Sequence, residues 1–292
     1  MTPAKLNLFF SWYPYSGNGA SASEHPSIRK WYSRVTRAIC KDGRIGEVFE
    51  KDFVDTPITM TRNLAVRTAQ AAGADVLVMV DSDQHPDCEL LAGDKLAKPW
   101  WESSFDFLYQ RRMHDLLTVV GAPYCGPPPH ENVYIFRWAT HQSLHAQPDL
   151  RIEAYSREEA AVRAGFEEVA TLPTGLIMFD LRVFDLLEPP YFYYEYTDKY
   201  QSEKASTEDM TGTRDISMAC SQRLGYNPLF VNWDAWAGHW KPKCVGKPRL
   251  IHVDQVSDKF AEAVRNNSRR AERLVMVDEG KNGTHRELAP SQ

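Results

Sequence analysis

The 292-residue chain has no Cys-X-X-Cys pair, no long apolar run and no excess of basic charge. Its five cysteines, Cys40, Cys88, Cys125, Cys220 and Cys244, are scattered and odd in number. That pattern speaks against a disulfide framework or a zinc site and predicts reduced thiols in a cytoplasmic protein. No window approaches the roughly 20 apolar residues needed to cross a bilayer. The N-terminus lacks the charged lead and apolar core of a secretory signal. A soluble protein without a membrane span is therefore expected. A formal charge of −5 excludes a polyanion-binding surface spread over the whole molecule, though not a local basic patch. No internal repeat is evident, which sets aside repeat architectures.

What remains is an ordinary globular composition, 43% hydrophobic and 25% charged. It suits one large α/β domain with extensions or two small domains. The most informative stretch runs from Ala74 to Asp83. Val76 to Val80 is apolar throughout and predicts a strand buried on both faces. The strand stops at Asp81 and Asp83, two carboxylates spaced i, i+2, with the small Ser82 permitting a turn between them. Oxygen donors at the carboxyl end of a parallel strand lie where open α/β sheets bind ligands. Carboxylates there suit Mg²⁺ or Mn²⁺, ions that also bind nucleotide phosphates. Asp-Ser-Asp read by composition alone is a solvated turn.

Other elements follow from periodicity. Leu6 to Tyr13 predicts a first strand, and the Gly- and Ser-rich Pro14 to Ser23 a loop after it. His25 to Cys40 predicts an amphipathic helix with Ile28, Trp31, Tyr32, Val35 and Ile39 on one stripe. A strand is expected over Ile45 to Val54. Thr59 to Gln70 predicts a helix with Leu64, Ala65, Ala69 and Ala72 inward, Thr59 or Thr61 as N-cap and Gly73 as stop. Further along come a helix over Ser103 to Leu117 and a buried strand over Thr118 to Tyr124. An edge strand over Asn132 to Trp138 and a helix over Ser156 to Ala164 complete that part.

Four later blocks carry chemistry. In Thr174-Gly175-Leu176 a glycine opens an apolar strand, letting the backbone approach a ligand or forming a bulge. Tyr191 to Tyr196 is densely aromatic, either a platform for sugar rings or bases or a half-exposed strand. Ile216, Ala219, Cys220 and Leu224 mark a helix stopped by Gly225. Glu208, Asp209 and Asp215 lie before or at its start, where the macrodipole favours carboxylates. The intervening Thr211-Gly212-Thr213 reads as an insertion, which puts Asp215 in the helix's first turn. Finally, Leu229 to Asn232 is a strand followed by an aromatic turn and Gly238-His239-Trp240-Lys241. A helix is expected over Ser257 to Val275, and the chain divides into residues 1–254 and a C-terminal extension 255–292.

These blocks, in this order, resemble the GT-A fold glycosyltransferases, closest to short phage-type or bacterial stand-alone members, over roughly residues 5 to 245. The resemblance implies an α/β fold with a mixed sheet flanked by helices. It implies transfer of a hexosyl or pentosyl group from a nucleoside diphosphate sugar, UDP-sugar favoured and GDP-sugar possible, to an unknown acceptor hydroxyl. Asp81, Asp83 and His239 would hold Mn²⁺ or Mg²⁺. Tyr13, Arg62, Asn63, Asp81, Ser82, Gly175 and Lys241 would meet the donor. The catalytic base would be Asp215, with Asp209 next to it in preference and Glu208 as that residue's partner. The stretch Cys125 to Pro129 departs from the family's short basic turn.

Two other classes fit an Asp-X-Asp strand end. A phosphohydrolase would need a small-Thr/Val turn where this chain has Gln84-His85-Pro86. A catalytically silent nucleotide- or carbohydrate-binding module would use the acids only to shape a pocket.

Overall fold

The computed structural model describes residues 5–14, 26–54, 57–126, 131–139, 152–197, 199–201, 203–240 and 244–245. In chain order the elements begin with β1 (Leu6–Tyr13), α1 (Pro26–Ile39), β2 (Ile45–Asp52), α2 (Ile58–Ala71) and β3 (Val76–Asp81). Next come β4 (Gln84–His85), α3 (Cys88–Leu91), α4 (Trp100–Met113), β5 (Val119–Gly121), β6 (Phe136–Trp138) and β7 (Ile152–Ala154). Then follow α5 (Arg157–Ala161), β8 (Phe166–Glu168), β9 (Leu176–Asp180) and a 3₁₀ turn, Leu181–Leu186. The last are β10 (Glu195–Tyr196), β11 (Lys204–Ser206), α6 (Glu208–Leu224), β12 (Leu229–Asn232), β13 (Gly238–Trp240) and β14 (Cys244–Val245). The described residues all belong to one of the chain's two units, 1–127 with 131–249.

Seven strands form the central sheet in the order β2-β1-β3-β9-β5-β12-β8. β1 runs parallel to β2 and β3, and β12 parallel to β5, while β9 and β8 are antiparallel to their neighbours. The fold is thus α/β with a mixed sheet flanked by helices. Side chains alternate along each strand, so β3 feeds two cores. Leu77 and Met79 pack with Ala65, Val66 and Ala69 of α2 and Ile216 and Cys220 of α6. Val76, Val78 and Val80 pack with Trp31 and Val35 of α1 and Trp101 and Phe105 of α4. With helices on both faces, β3 has no solvent side, which is why its sequence is unbroken apolar residues.

Several expected boundaries shift for identifiable reasons. Helix α2 begins at Ile58, one residue before the expected Thr59, and its N-cap is Pro57 with no side-chain cap. Its expected inward Leu64 is exposed. Helix α4 starts at Trp100, three residues before the expected Ser103, right after Pro99, and Asp115 at φ 57° lies beyond its end. The expected edge strand at 132–138 shortens to β6 and pairs with β7 in a separate two-stranded sheet. Helix α6 is continuous from Glu208, so Thr211-Gly212-Thr213 is no insertion and Asp215 lies in its second turn. The Gly212 position is fixed by packing: a Cβ there would meet the Phe192 ring at 2.6 Å. Gly225 ends the helix at φ 81°, a conformation glycine adopts without penalty.

The helix expected over 257–275 and the boundary at 254 lie outside the described residues. Among the described residues no helix is long and apolar enough to cross a membrane.

Candidate functional site

Sheet topology gathers one edge. β1 and β3 end side by side at Tyr13 and Asp81. Because β9 is antiparallel, its start lies beside the end of β3, and the Asp81 amide donates to the Gly175 carbonyl at 2.8 Å. The segment following β5 brings Tyr124 and Cys125 to the same edge. After Asp81 the chain turns, with the Ser82 amide donating to the Tyr13 carbonyl at 3.2 Å. It then enters β4, which pairs with β13 so that Gln84 stands opposite His239. That pairing, with the Trp240 amide donating to the Asp83 carbonyl at 2.8 Å, is what brings two sequence-distant residues together.

The result is a cleft of about 700 Å³. Tyr13, Phe53, Ile58, Tyr124, Phe136 and Leu172 line it, together with Arg62, Asp81, Asp83, Glu208, Asp209 and His239. His239 is 8% exposed. Its Nδ1 lies 3.0 Å from the Cys125 carbonyl oxygen, and its Nε2 lies 3.3 Å from Asp83 Oδ2. A carbonyl can only accept, so Nδ1 carries a proton, and Nε2 is the ring atom that faces the carboxylate. A ring nitrogen and a carboxylate oxygen 3.3 Å apart are joined either by a proton or by a cation.

Arg62, from α2, is 3% exposed and holds the floor. Its Nη2 reaches Asp81 Oδ2 at 3.2 Å, its Nε lies 3.7 Å from Glu208 Oε1, and its Nη1 donates to the Thr174 carbonyl at 3.3 Å. Its guanidinium lies 4.9 Å from the centre of the Tyr13 ring. This buried cation thus faces three cleft carboxylates, Asp81, Glu208 and Asp209, and burial does the rest. Desolvation pushes Asp81 up to about 6 against the pull of Arg62, with Asp83 and Asp209 adding to the rise. Glu208 goes up to about 7, chiefly by burial, then by its neighbour Asp209. Burial also holds the Tyr124 phenol well above its usual range. An excess of clustered acid of this kind is stabilised by a bound cation.

The expected site residues separate accordingly. Tyr13, Arg62, Asp81, Asp83, Glu208, Asp209 and His239 come together. The three expected metal ligands do not converge as a set: Asp81 is taken by Arg62, while Asp83 and His239 meet. Among the described residues no cluster of three or more His, Cys, Asp or Glu has metal-binding geometry. Asn63 does not reach the cleft. Its Nδ2 donates to the Thr59 and Phe192 carbonyls, both at 2.7 Å, and its Oδ1 accepts from the Tyr191 and Phe192 amides. That side chain is spent on fastening residues 191–192 to α2. Ser82 contributes the backbone turn described above.

Gly175 stands one layer behind the cleft. A Cβ there would come within 2.7 Å of both Gln84 Nε2 and the Tyr124 hydroxyl, so the glycine serves close packing. Asp215 accepts from the Tyr193 hydroxyl at 2.7 Å and pairs with Arg214 at 3.0 Å, and it does not line the cleft. The reason is register: with α6 starting at Glu208, the helix's first turn carries the Glu208–Asp209 pair. Lys241 lies outside the described residues. The expected set omitted Tyr124 and the carbonyls of Cys125 and Thr174. Tyr124 had a faint signal in its strand-end position; carbonyls leave none.

No family model matches the chain, and no curated protein matches it. Among solved structures, the crystal structure of A197 from STIV is 13% identical, with a TM-score of 0.47, covering 86% of this chain and 98% of that one. A putative glucose-1-phosphate thymidylyltransferase from Bacillus anthracis, in complex with a sucrose, is 10% identical with a TM-score of 0.36. It covers 81% of this chain and 89% of its own.

Proposed function

We propose that the chain is a metal-dependent glycosyltransferase of GT-A type, moving a sugar from a nucleoside diphosphate donor to an acceptor hydroxyl. The observation that carries this reading is the His239–Asp83 pair. A metal-ligating histidine commonly donates its second ring N–H to a backbone carbonyl, which fixes the tautomer, and His239 does so toward Cys125. Asp83 and His239 therefore fit as two protein ligands of Mn²⁺ or Mg²⁺. Divalent ions of this kind take one or two protein groups and fill their shell with water and substrate phosphates. When bound, the metal would neutralise charge on the leaving diphosphate.

The remaining groups have separable tasks. Arg62 holds Asp81 and Glu208 in place and lowers the cost of keeping them near each other. The Tyr13, Phe53 and Ile58 side chains, which pack in one cluster, offer apolar surface to a nucleotide base. At the head of α6, Asp209, with Glu208 beside it, accepts the proton of the acceptor hydroxyl. The acceptor oxygen forms a bond to the anomeric carbon as the bond from that carbon to the diphosphate oxygen breaks. The nucleoside diphosphate leaves with the electron pair. Positioning both substrates in one cleft supplies much of the acceleration.

The test is a thermal-shift screen of UDP, GDP, CDP and their sugars, with and without Mn²⁺, followed by nucleotide-release assays on any donor that binds. A ligand that binds only the folded state raises Tm by mass action. A Mn²⁺-dependent rise with at least one nucleotide is expected. No rise with any of them overturns the proposal.

A further inference from the structure

Two short strands precede the acid pair at the head of α6. Strands β10 and β11 pair antiparallel, Glu195 opposite Ser206 and Tyr196 opposite Lys204. Side chains of extended backbone alternate in direction, and here the two sets have different work. Tyr193 donates to Asp215 Oδ2 at 2.7 Å, and Glu195 receives the Arg214 fork at 2.9 and 2.7 Å. Those contacts fasten the hairpin to α6. The intervening pair, Tyr194 and Tyr196, has ring centres 6.4 Å apart at 64°. Both rings are half-buried.

Tyr194 lines the cleft together with Glu208, Asp209 and Met210. Its phenol is pushed up to about 12 by burial, then by the nearby Glu208 and Asp209 carboxylates. The Lys204 ammonium lies 3.8 Å from the centre of the Tyr194 ring. One tyrosine thus lines the same cleft as the acids proposed to take the acceptor's proton, and the ring of the next stands 6.4 Å from it.

We propose that Tyr194 and Tyr196 form a carbohydrate-binding strip for the acceptor, an uncharged oligosaccharide whose end hydroxyl is delivered to Glu208 and Asp209. This rests on the glycosyltransfer reading and adds the acceptor class to it. A sugar ring has an apolar face and a polar rim, matching an aromatic face with a hydroxyl at its edge. Tyrosine offers that area at low entropic cost, having only two side-chain torsions. The Arg214 and Asp215 contacts hold the strip in place before anything binds, which favours recognition. An uncharged chain is the match because the strip carries both signs of charge, the Lys204 ammonium over Tyr194 and the Glu208 and Asp209 carboxylates at its end, so a charged acceptor of either sign meets a like charge.

The experiment measures binding of maltopentaose, cellopentaose and chitopentaose to the full chain by saturation-transfer NMR, without donor. Mn²⁺-dependent nucleotide binding is measured in parallel. Wild type should bind at least one pentasaccharide. Tyr196→Ala should weaken that binding by about tenfold, the upper scale of one aromatic contact. Tyr196→Phe should retain it, and nucleotide binding should not change in either variant. Failure of all three sugars to bind wild type overturns the strip. So does an equal loss of sugar and nucleotide binding in Tyr196→Ala, which would make the ring a packing residue. Failure of the glycosyltransfer reading looks different: pentasaccharide binding would persist with no Mn²⁺-dependent nucleotide binding.

Discussion

Arg62 Nε on α2 lies 3.7 Å from Glu208 Oε1 at the head of α6, while its Nη2 lies 3.2 Å from Asp81 Oδ2 at the end of β3. A single guanidinium therefore joins three elements beneath the cleft. Removing one member of a buried ionic cluster strands the others, at a cost of about 3–5 kcal/mol. Arg62→Ala should lower stability on that scale, seen as a lower urea midpoint. Arg62→Lys should fall between the two, because a point charge cannot replace a fork. A loss below ~0.5 kcal/mol in Arg62→Ala would show that the cluster does not depend on its cation.

Asp83→Asn and His239→Ala should each abolish Mn²⁺-dependent nucleotide binding, measured by calorimetry, while far-UV circular dichroism stays that of wild type. The two changes strike opposite sides of one 3.3 Å contact, so the double variant should be no worse than either single one. Wild-type Mn²⁺ dependence in either variant removes the pair from the metal.

The acids of α6 should divide by position. Asp209→Asn keeps the shape and removes the basic oxygen, so transfer should fall ~10²-fold or more, the scale of a general base, with donor binding kept. Asp215→Asn should cost less activity, because Asp215 is held by Tyr193 and Arg214 away from the cleft. The reverse order of damage, read from single-turnover rates, would return the base to Asp215.

Glu208 sets a pH dependence whose sign can be worked out. Its carboxyl rises from 4.5 to about 7 on folding, chiefly by burial. Between those values the folded protein holds a proton that the unfolded chain releases, so stability falls as pH rises through that window. In chelator-treated protein, Tm should drop from pH 5 to pH 7 on this account, and Glu208→Gln should flatten the slope. An unchanged slope in Glu208→Gln would assign the dependence to another group.

Much of this fold was legible in the sequence because its strands are extreme. Val76 to Val80 admits no reading but a strand covered on both sides, and the acids after it fall at a sheet edge in any α/β arrangement. Helix α1 was equally plain, its stripe of Ile28, Trp31, Val35 and Ile39 buried as spacing required. Boundaries were less legible. Asp215 looked like a first-turn residue because Thr-Gly-Thr reads locally as a break. The glycine is instead held in a continuous helix by the Phe192 ring packed against it, a neighbour that local sequence does not reveal.

Asn63 shows the same division. Its type and place beside Arg62 were visible, yet four hydrogen bonds to residues 59, 191 and 192 commit it to structure. By itself the sequence determined the residue types at the sheet edge: the acid pair, the buried strand that carries it, and the Gly-His block. Tertiary structure alone decided their partners. Antiparallel β9 put Gly175 beside Asp81, the β4–β13 pairing set His239 against Asp83, and the start of α6 placed Glu208 within reach of Arg62. Periodicity is local, whereas pairing between distant strands depends on the whole packed sheet, and the chemistry of the cleft depends on that pairing.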